Sequence, residues 1–232
     1  AKTLTANGFT RQYTVTYNYN GSGASNTSAT AKYSFKNWNT NTAGTGTSYS
    51  NGQSVTNLTS TNGGTVNLYA QWNTGSVTLP TPTRTGYTFA GWYTAASGGS
   101  KVGNGGAAYT PTAAITLYAH WTANTYTVKY NGNGATGGST ANSTHTYGVA
   151  KTLTANGFTK TGYTFKGWST SSTATTATYS DKQSVTNLTS TNGATVNLYA
   201  VWKDQTAPTS TAPTATSTTN TVTVTNKQTD NG

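Results

Sequence analysis

Few side chains in this chain could carry out a reaction. The acids are Asp181, Asp204 and Asp230, with no Glu; the histidines are His120 and His145; Cys and Met are absent. Hydrolysis by paired carboxylates needs two acids at one bond, and Asp204 and Asp230 flank a stretch that reads as a linker. A Ser–His–Asp triad could draw only on one of the two histidines. His120 stands in the variable slot of a recurring Leu-Tyr-Ala-x-Trp motif, where the other copies carry Gln71 and Val201. A slot that accepts Gln, Val and His reads as a solvent face rather than a catalytic base. Two lone histidines without Cys make a poor zinc site, and calcium wants several clustered carboxylates. No catalytic residue, metal or cofactor is expected.

Gly132-Asn133-Gly134-Ala135-Thr136-Gly137 matches the spelling of a dinucleotide-binding loop. That loop needs a helix next and an acid about twenty residues on. Gly138 to Thr144 is a poor helix former and no acid follows, so the segment reads as a turn. A Lys–Asn isopeptide crosslink needs a buried acid beside the pair; Asp181 is the one acid within a repeat, and no crosslink is expected. Asn-x-Ser/Thr occurs at Asn20, Asn26, Asn57, Asn142 and Asn187, as composition alone would produce in so Asn- and Thr-rich a chain.

The aromatic residues remain. All six Trp fall into pairs: Trp38 and Trp72, Trp92 and Trp121, Trp168 and Trp202, separated by 34, 29 and 34 residues. The first of each pair ends Tyr33-Ser34-Phe35-Lys36-Asn37-Trp38, Gly86-Tyr87-Thr88-Phe89-Ala90-Gly91-Trp92 or Gly162-Tyr163-Thr164-Phe165-Lys166-Gly167-Trp168. The second ends Leu-Tyr-Ala-x-Trp. Self-similarity at a fixed spacing denotes an array of like modules, and an array suits reach or multivalent contact better than one active site. The Trp residues read as core. Tyr69, Tyr118 and Tyr199 lie on the opposite strand face and are the candidate ligand contacts, by stacking on sugar rings.

The elements behind these markers are strands. Tyr126-Thr127-Val128-Lys129-Tyr130 alternates, with Tyr126, Val128 and Tyr130 on one face, and Asn131 to Gly134 supplies turn chemistry. His145 to Leu153 reads as a second strand and Tyr163 to Trp168 as a third, with Tyr163 and Phe165 inward. Trp168 is out of phase unless a bulge at Gly167 turns it back. Val185 to Leu188 reads as a short strand or a single helical turn. In the closing strand Val196, Leu198, Ala200 and Trp202 share one face.

Four segments follow: residues 1–72 as a rearranged first repeat, 73–123 as a short second, 124–203 as a complete third, and 204–232 as a linker with the first strand of a further domain at Thr221 to Thr225. Ala1 to Thr10 is identical to Ala150 to Thr159, whereas Tyr13-Thr14-Val15 matches Tyr126-Thr127-Val128 and Gln53 matches Gln183. Residues 1–72 therefore lack 17 residues between their leading strand and the Trp38 strand. Lys2 to Ala6 either fills the vacant sheet position, as a local permutation, or is the stump of a preceding repeat. Residues 73–123 have no Tyr-Thr-Val-x-Tyr strand and begin through Val77 to Arg84, with two prolines; so small a unit is expected to lean on a neighbour. The chain begins inside a repeat and reads as a piece of something longer.

Composition fits this reading. Only 32% of residues are hydrophobic, too few for one large core, yet aromatic and β-branched residues are plentiful where a disordered chain would lack them. The net charge of +10 comes from cations scattered singly. Nucleic-acid binding would gather them on one face, so specific nucleic-acid recognition is not expected. No run of 18 apolar residues is present. A Cys-free, Thr/Asn/Gly-rich β array fits an exported protein of Gram-positive type.

Gly-Tyr-Thr-Phe-x-Gly-Trp followed by Leu-Tyr-Ala-x-Trp, with a leading Tyr-Thr-Val-x-Tyr, resembles the Listeria–Bacteroides repeat, the internalin-type B-repeat, over about Gln12 to Lys203. The first copy departs from it, with Lys32 and Asn37 in place of Gly. The resemblance implies a mainly β chain of tandem β-grasp-like modules with minimal helix, followed by the start of an immunoglobulin-like domain. It implies a bacterial cell-surface or secreted location and a non-enzymatic role as stalk, spacer and adhesive. The alternative is a glycan- or cell-wall-binding module using exposed Tyr and Lys, and the expected partners are host-surface or cell-wall glycans or proteins. A third role, as accessory domain of an extracellular hydrolase, would need catalytic sequence elsewhere.

Overall fold

A computed structural model describes the backbone of residues 1–206, 209–210, 214–218, 221–225 and 228–229, and the side chains of residues 1–206. The chain is mainly β, with no helix among the described residues. It divides into two compact units, Ala1–Thr122 and Ala123–Gly232.

The first unit contains β1 (Lys2–Thr3), β2 (Arg11–Asn18), β3 (Thr27–Asn39), β4 (Ser48–Tyr49), β5 (Ser54–Val55), β6 (Tyr69–Asn73), β7 (Val77–Thr78), β8 (Tyr87–Tyr93), β9 (Lys101–Gly103), β10 (Ala108–Tyr109) and β11 (Ile115–Ala123). The second contains β12 (Thr125–Asn131), β13 (Gly137–Gly138), β14 (Ser143–Thr146), β15 (Lys151–Thr152), β16 (Phe158–Thr159), β17 (Tyr163–Ser169), β18 (Ser184–Val185) and β19 (Thr195–Asp204). Beyond them lie β20 (Thr209–Ser210), β21 (Thr214–Thr218), β22 (Thr221–Thr225) and β23 (Gln228–Thr229).

The C-terminal module, β12 to β19, is the simplest to read. Its sheet runs β14-β12-β19-β17. β12 and β19, the first and last strands, are parallel, with Val128 opposite Val196 and Tyr130 opposite Leu198; β14 and β17 flank them antiparallel. The alternation of β12 buries Tyr126, Val128 and Tyr130 against Leu198, Ala200 and Trp168. The bulge lies where the phase of Trp168 requires it: pairing steps from Phe165–Trp202 to Gly167–Val201, leaving Lys166 as the extra residue. Gly167 sits at φ 141°, and a Cβ there would come within 2.3 Å of the Tyr179 carbonyl oxygen, so only glycine fits. Trp168 is then fully buried.

Some local readings change. His145 to Leu153 is not one strand: β14 ends at Thr146 and a turn with Gly148 at φ 80° precedes β15. Tyr163 is not inward; it is 38% exposed, with the Lys160 ammonium 4.0 Å from its ring centroid. Val185 belongs to a short strand, β18, rather than a helical turn. The stretch read as an extended linker carries β20 and β21. β21 pairs antiparallel with β22, the strand expected at Thr221 to Thr225, and β20 with β23. The prolines of that stretch lie outside the described residues, and so does most of what an immunoglobulin-like reading would rest on.

The first unit rearranges the same parts. A seven-stranded sheet runs β4-β3-β2-β11-β8-β9, with β6 also paired to β3. β2 lies parallel to β11, Val15 opposite Ile115 and Tyr17 opposite Leu117, the register of β12 on β19. The sheet thus crosses the division drawn at residue 72. The Tyr-Thr-Val strand read as the leader of residues 1–72 sits instead in the module closed by β11, whose own stretch has no leader. The cause is visible in β3. Thirteen residues long, it pairs with β2 through Thr27–Tyr33 and with β6 through Ser34–Asn39. In the C-terminal module the equivalent segments, β14 and β17, are separate strands. Loss of the residues between them fuses two strands into one, too stiff to turn back, so its halves serve different modules.

The middle module therefore consists of β2, the first half of β3, and β7 to β11. Its core is Val15, Tyr17, Ala31, Val77, Leu79, Trp92, Leu117 and Ala119. The N-terminal module consists of β1, the second half of β3, and β4 to β6. β1 pairs with β5, Lys2 opposite Val55 and Thr3 opposite Ser54, as Lys151 and Thr152 of β15 meet Val185 and Ser184. Phe9 packs edge-on against Trp38 at 5.2 Å, as Phe158 does against Trp168.

Candidate functional site

Each acid and histidine among the described side chains meets its own set of neighbours. No cluster of three metal-ligating side chains occurs among them. Asp181 accepts the Asn156 amide at 2.8 Å. The Thr206 hydroxyl and amide both donate to Asp204 and hold its carboxyl below the usual carboxylate range. His145 is fully buried beneath Tyr126, its Nε2 2.9 Å from the Ser143 hydroxyl. Burial, and secondarily the Lys151 ammonium, push its pKa below the usual value, so it is a neutral core histidine. Gly132–Ala135 is a turn, closed by the Ala135 amide on the Gly132 carbonyl, with Asn133 and Gly134 at φ 48° and 82°, and Gly137 opens β13.

The variable slot of Leu-Tyr-Ala-x-Trp is not a solvent face. Val201 is 2% exposed. His120 stacks on Tyr93 at 3.9 Å, and its Nε2 lies 2.9 Å from the Ala95 carbonyl, which it meets as a donor. The Gln71 amide donates to the carbonyls of Asn41 and Thr42. Gln71 and His120 thus tie the closing strand to the loop that follows the Trp strand, while Val201 at the same place is buried.

The repeat markers split into two classes. Trp92 and Trp168 are fully buried and Trp38 nearly so. Trp72, Trp121 and Trp202 are half-buried. Of these, Trp121 donates Nε1–H to the Tyr19 carbonyl at 3.1 Å and Trp202 to the Gly132 carbonyl at 2.9 Å. Both acceptors lie just past a leading strand. The next residue repeats the pattern: Asn20 donates to the carbonyls of Ala96 and Ala119, and Asn133 to those of Ser172 and Ala200. Each leading strand is therefore clamped at its end by an Asn in the left-handed region, where Asn tolerates the strain better than most residues.

The candidate tyrosines sit at matching places on their closing strands. Tyr69 is 38% exposed, while Tyr118 and Tyr199 are half-buried. A groove of about 490 Å³ lies in the N-terminal module, lined by Lys2, Leu4, Val55, Leu58, Val66 and Leu68 among others. The sequence held a pointer to it, since the chain has three closing strands and only two leading ones.

Tandem small β modules, each with a Trp strand and a Trp-ended closing strand, make this a repeat protein. The Listeria-Bacteroides repeat domain model matches residues 60–120 and 126–201. These stretches make up more than half of the chain, and the chain belongs to that family. The resemblance drawn from Gln12 onward is matched from residue 60 only. No solved structure matches the chain. Repeats of this family are non-catalytic segments typical of extracellular bacterial surface proteins.

Proposed function

We propose that this chain is a load-bearing spacer with adhesive capacity, presenting other domains away from the bacterial wall. One observation carries the reading: the first and last strands of the C-terminal module are parallel neighbours, in a register that β2 and β11 repeat. Tension on the two ends of such a module pulls parallel neighbours past one another, loading their hydrogen bonds together. A terminal antiparallel hairpin would instead unzip one bond at a time. The parallel pairing of first and last strands supports a β-grasp-like reading of the module. Single-molecule pulling tests the reading: abrupt force peaks with the contour length of Thr125–Asp204 are expected. Gradual extension at low force would sink it.

A second reading is glycan or wall binding by Tyr69, Tyr118, Tyr199 and the scattered lysines. The 38% exposure of Tyr69 favours it. A glycan array comparing the chain with its three Tyr→Ala substitutions separates the two, since a pure spacer binds nothing saturably.

A further inference from the structure

Among the described residues, the closing strand of the N-terminal module has no leading strand beside it. In the C-terminal module, Thr195 to Tyr199 is zipped to β12 by parallel pairing; in the middle module, Ile115 to Tyr118 is zipped to β2. Thr65-Val66-Asn67-Leu68 is identical to Thr195-Val196-Asn197-Leu198. Yet no strand pairs with it among the described residues, and it is not itself a strand. Leu68 and Ala70 are only half-buried, where Leu198 and Ala200 are fully buried. The groove of about 490 Å³ lies on this edge, floored by Leu4, Val55, Leu58, Val66 and Leu68.

Polar groups in the groove wait for the same guest. Trp72 Nε1–H has no acceptor among the described residues, where Trp121 and Trp202 reach carbonyls that follow a leading strand. Thr5 N–H also has no partner among the described residues. Its counterpart, Thr154 N–H, donates to the Tyr130 hydroxyl at 2.8 Å. The middle module has Pro80 at that place, with no N–H to give, and the Tyr17 hydroxyl is buried there without a partner.

We infer that this edge is a strand acceptor. Its occupant is the leading strand of another repeat of the same family: an extended segment with Tyr, Val and Tyr at alternate positions, added in parallel beside Thr65 to Tyr69. Backbone pairing would supply affinity and the inward Tyr-x-Val-x-Tyr row specificity. An unpaired edge next to an apolar groove is a standing template for such addition. Neither leading strand of this chain is spare, because β2 and β12 each fill a slot already. The inference stands whether or not the chain serves as a spacer.

The absence of Cys makes the test clean. The probe is a synthetic peptide with the sequence of residues 123–134, carrying in place of Lys129 a Cys activated as its thiopyridyl disulfide, so that the protein's thiolate forms the new disulfide as thiopyridone leaves. Lys129 lies opposite Asn197, and the matching position in the middle module is Thr116, opposite Thr16. The full-length chain is prepared three times, as Asn67→Cys, Thr116→Cys and Asn197→Cys. Rapid disulfide capture by Asn67→Cys alone is expected. Capture by Thr116→Cys or Asn197→Cys instead would mean that the peptide displaces β2 or β12, and would overturn the assignment, as would no capture at all. A labelled peptide with Val128→Asp should bind the unaltered chain at least about tenfold more weakly; equal binding would also defeat the inference. Sedimentation of the chain alone addresses a second copy as occupant. A dimer that the peptide dissolves supports the acceptor edge, and a dimer that persists and blocks peptide capture refutes it.

Discussion

The N-terminal and C-terminal modules share eleven consecutive identical residues, Gln53 to Gly63 and Gln183 to Gly193, and nearly identical closing strands. They nevertheless finish differently. The C-terminal module surrounds Trp168 with Tyr126, Val128, Tyr130, Leu153, Val185, Leu198 and Ala200. The N-terminal module's buried apolar residues are Trp38 and Val55, each 9% exposed. The contrast comes from one strand position left unfilled among the described residues rather than from weaker residues. A closing strand with Val, Leu and Ala inward buries them only when a leading strand lies alongside; without it the same side chains line a groove. Hydrophobic pattern states what a strand can bury, and its neighbour decides whether it does.

That comparison can be broken or sharpened by experiment. The largest effect is expected from Val15→Asp. Val15 is fully buried between β3 and β11, and an unpaired carboxylate there should cost more than about 4 kcal/mol. Amide exchange should show the middle module opening while β1 and β5 keep their protection. Equal loss across both modules would mean that β2 holds the N-terminal module as well.

A smaller contrast concerns the bulge. Gly167→Ala places a Cβ against the Tyr179 carbonyl at φ 141° and should destabilise the C-terminal module by about 1–3 kcal/mol. Asn37 holds the matching position in β3 without a positive φ, and its buried Oδ1 has no partner. Asn37→Ala should therefore be neutral or slightly stabilising, since it removes an unsatisfied acceptor. Thermal melts of the two variants decide; equal losses would show that the bulges are alike.

The smallest effect is one of pH. His145 has a lowered pKa in the folded chain. The unfolded chain takes up the proton first, so stability holds above about pH 6.5 and falls as pH drops below that, levelling once the folded-state pKa is passed. Ala31, opposite Tyr13, occupies the place that His145, opposite Tyr126, holds in the C-terminal module. Denaturant melts between pH 7 and 5 should show this dependence in the C-terminal module and not in the middle one, and His145→Ala should abolish it.

Much of the local structure was legible. The alternation in Tyr126–Tyr130, the bulge demanded by Trp168, and the Asn-Gly turns all follow from steric rules acting over a few residues. The exposure of Tyr163 was not legible, because it turns inward or outward only once Lys160 stacks over its ring. Nor was the burial of Val201, whose slot carries Gln71 and His120 in the other copies.

The chain's own letters were enough to establish an array of small Trp-sealed β modules poor in reactive groups, because repeat spacing, two-residue periodicity and composition are properties of the string itself. Which leading strand would serve which closing strand was settled only in three dimensions. β2 carries the same inward residues wherever it docks, so nothing local distinguishes a slot next door from one formed some hundred residues later. The fused β3 made that choice by geometry, and with it left one edge of the first module open.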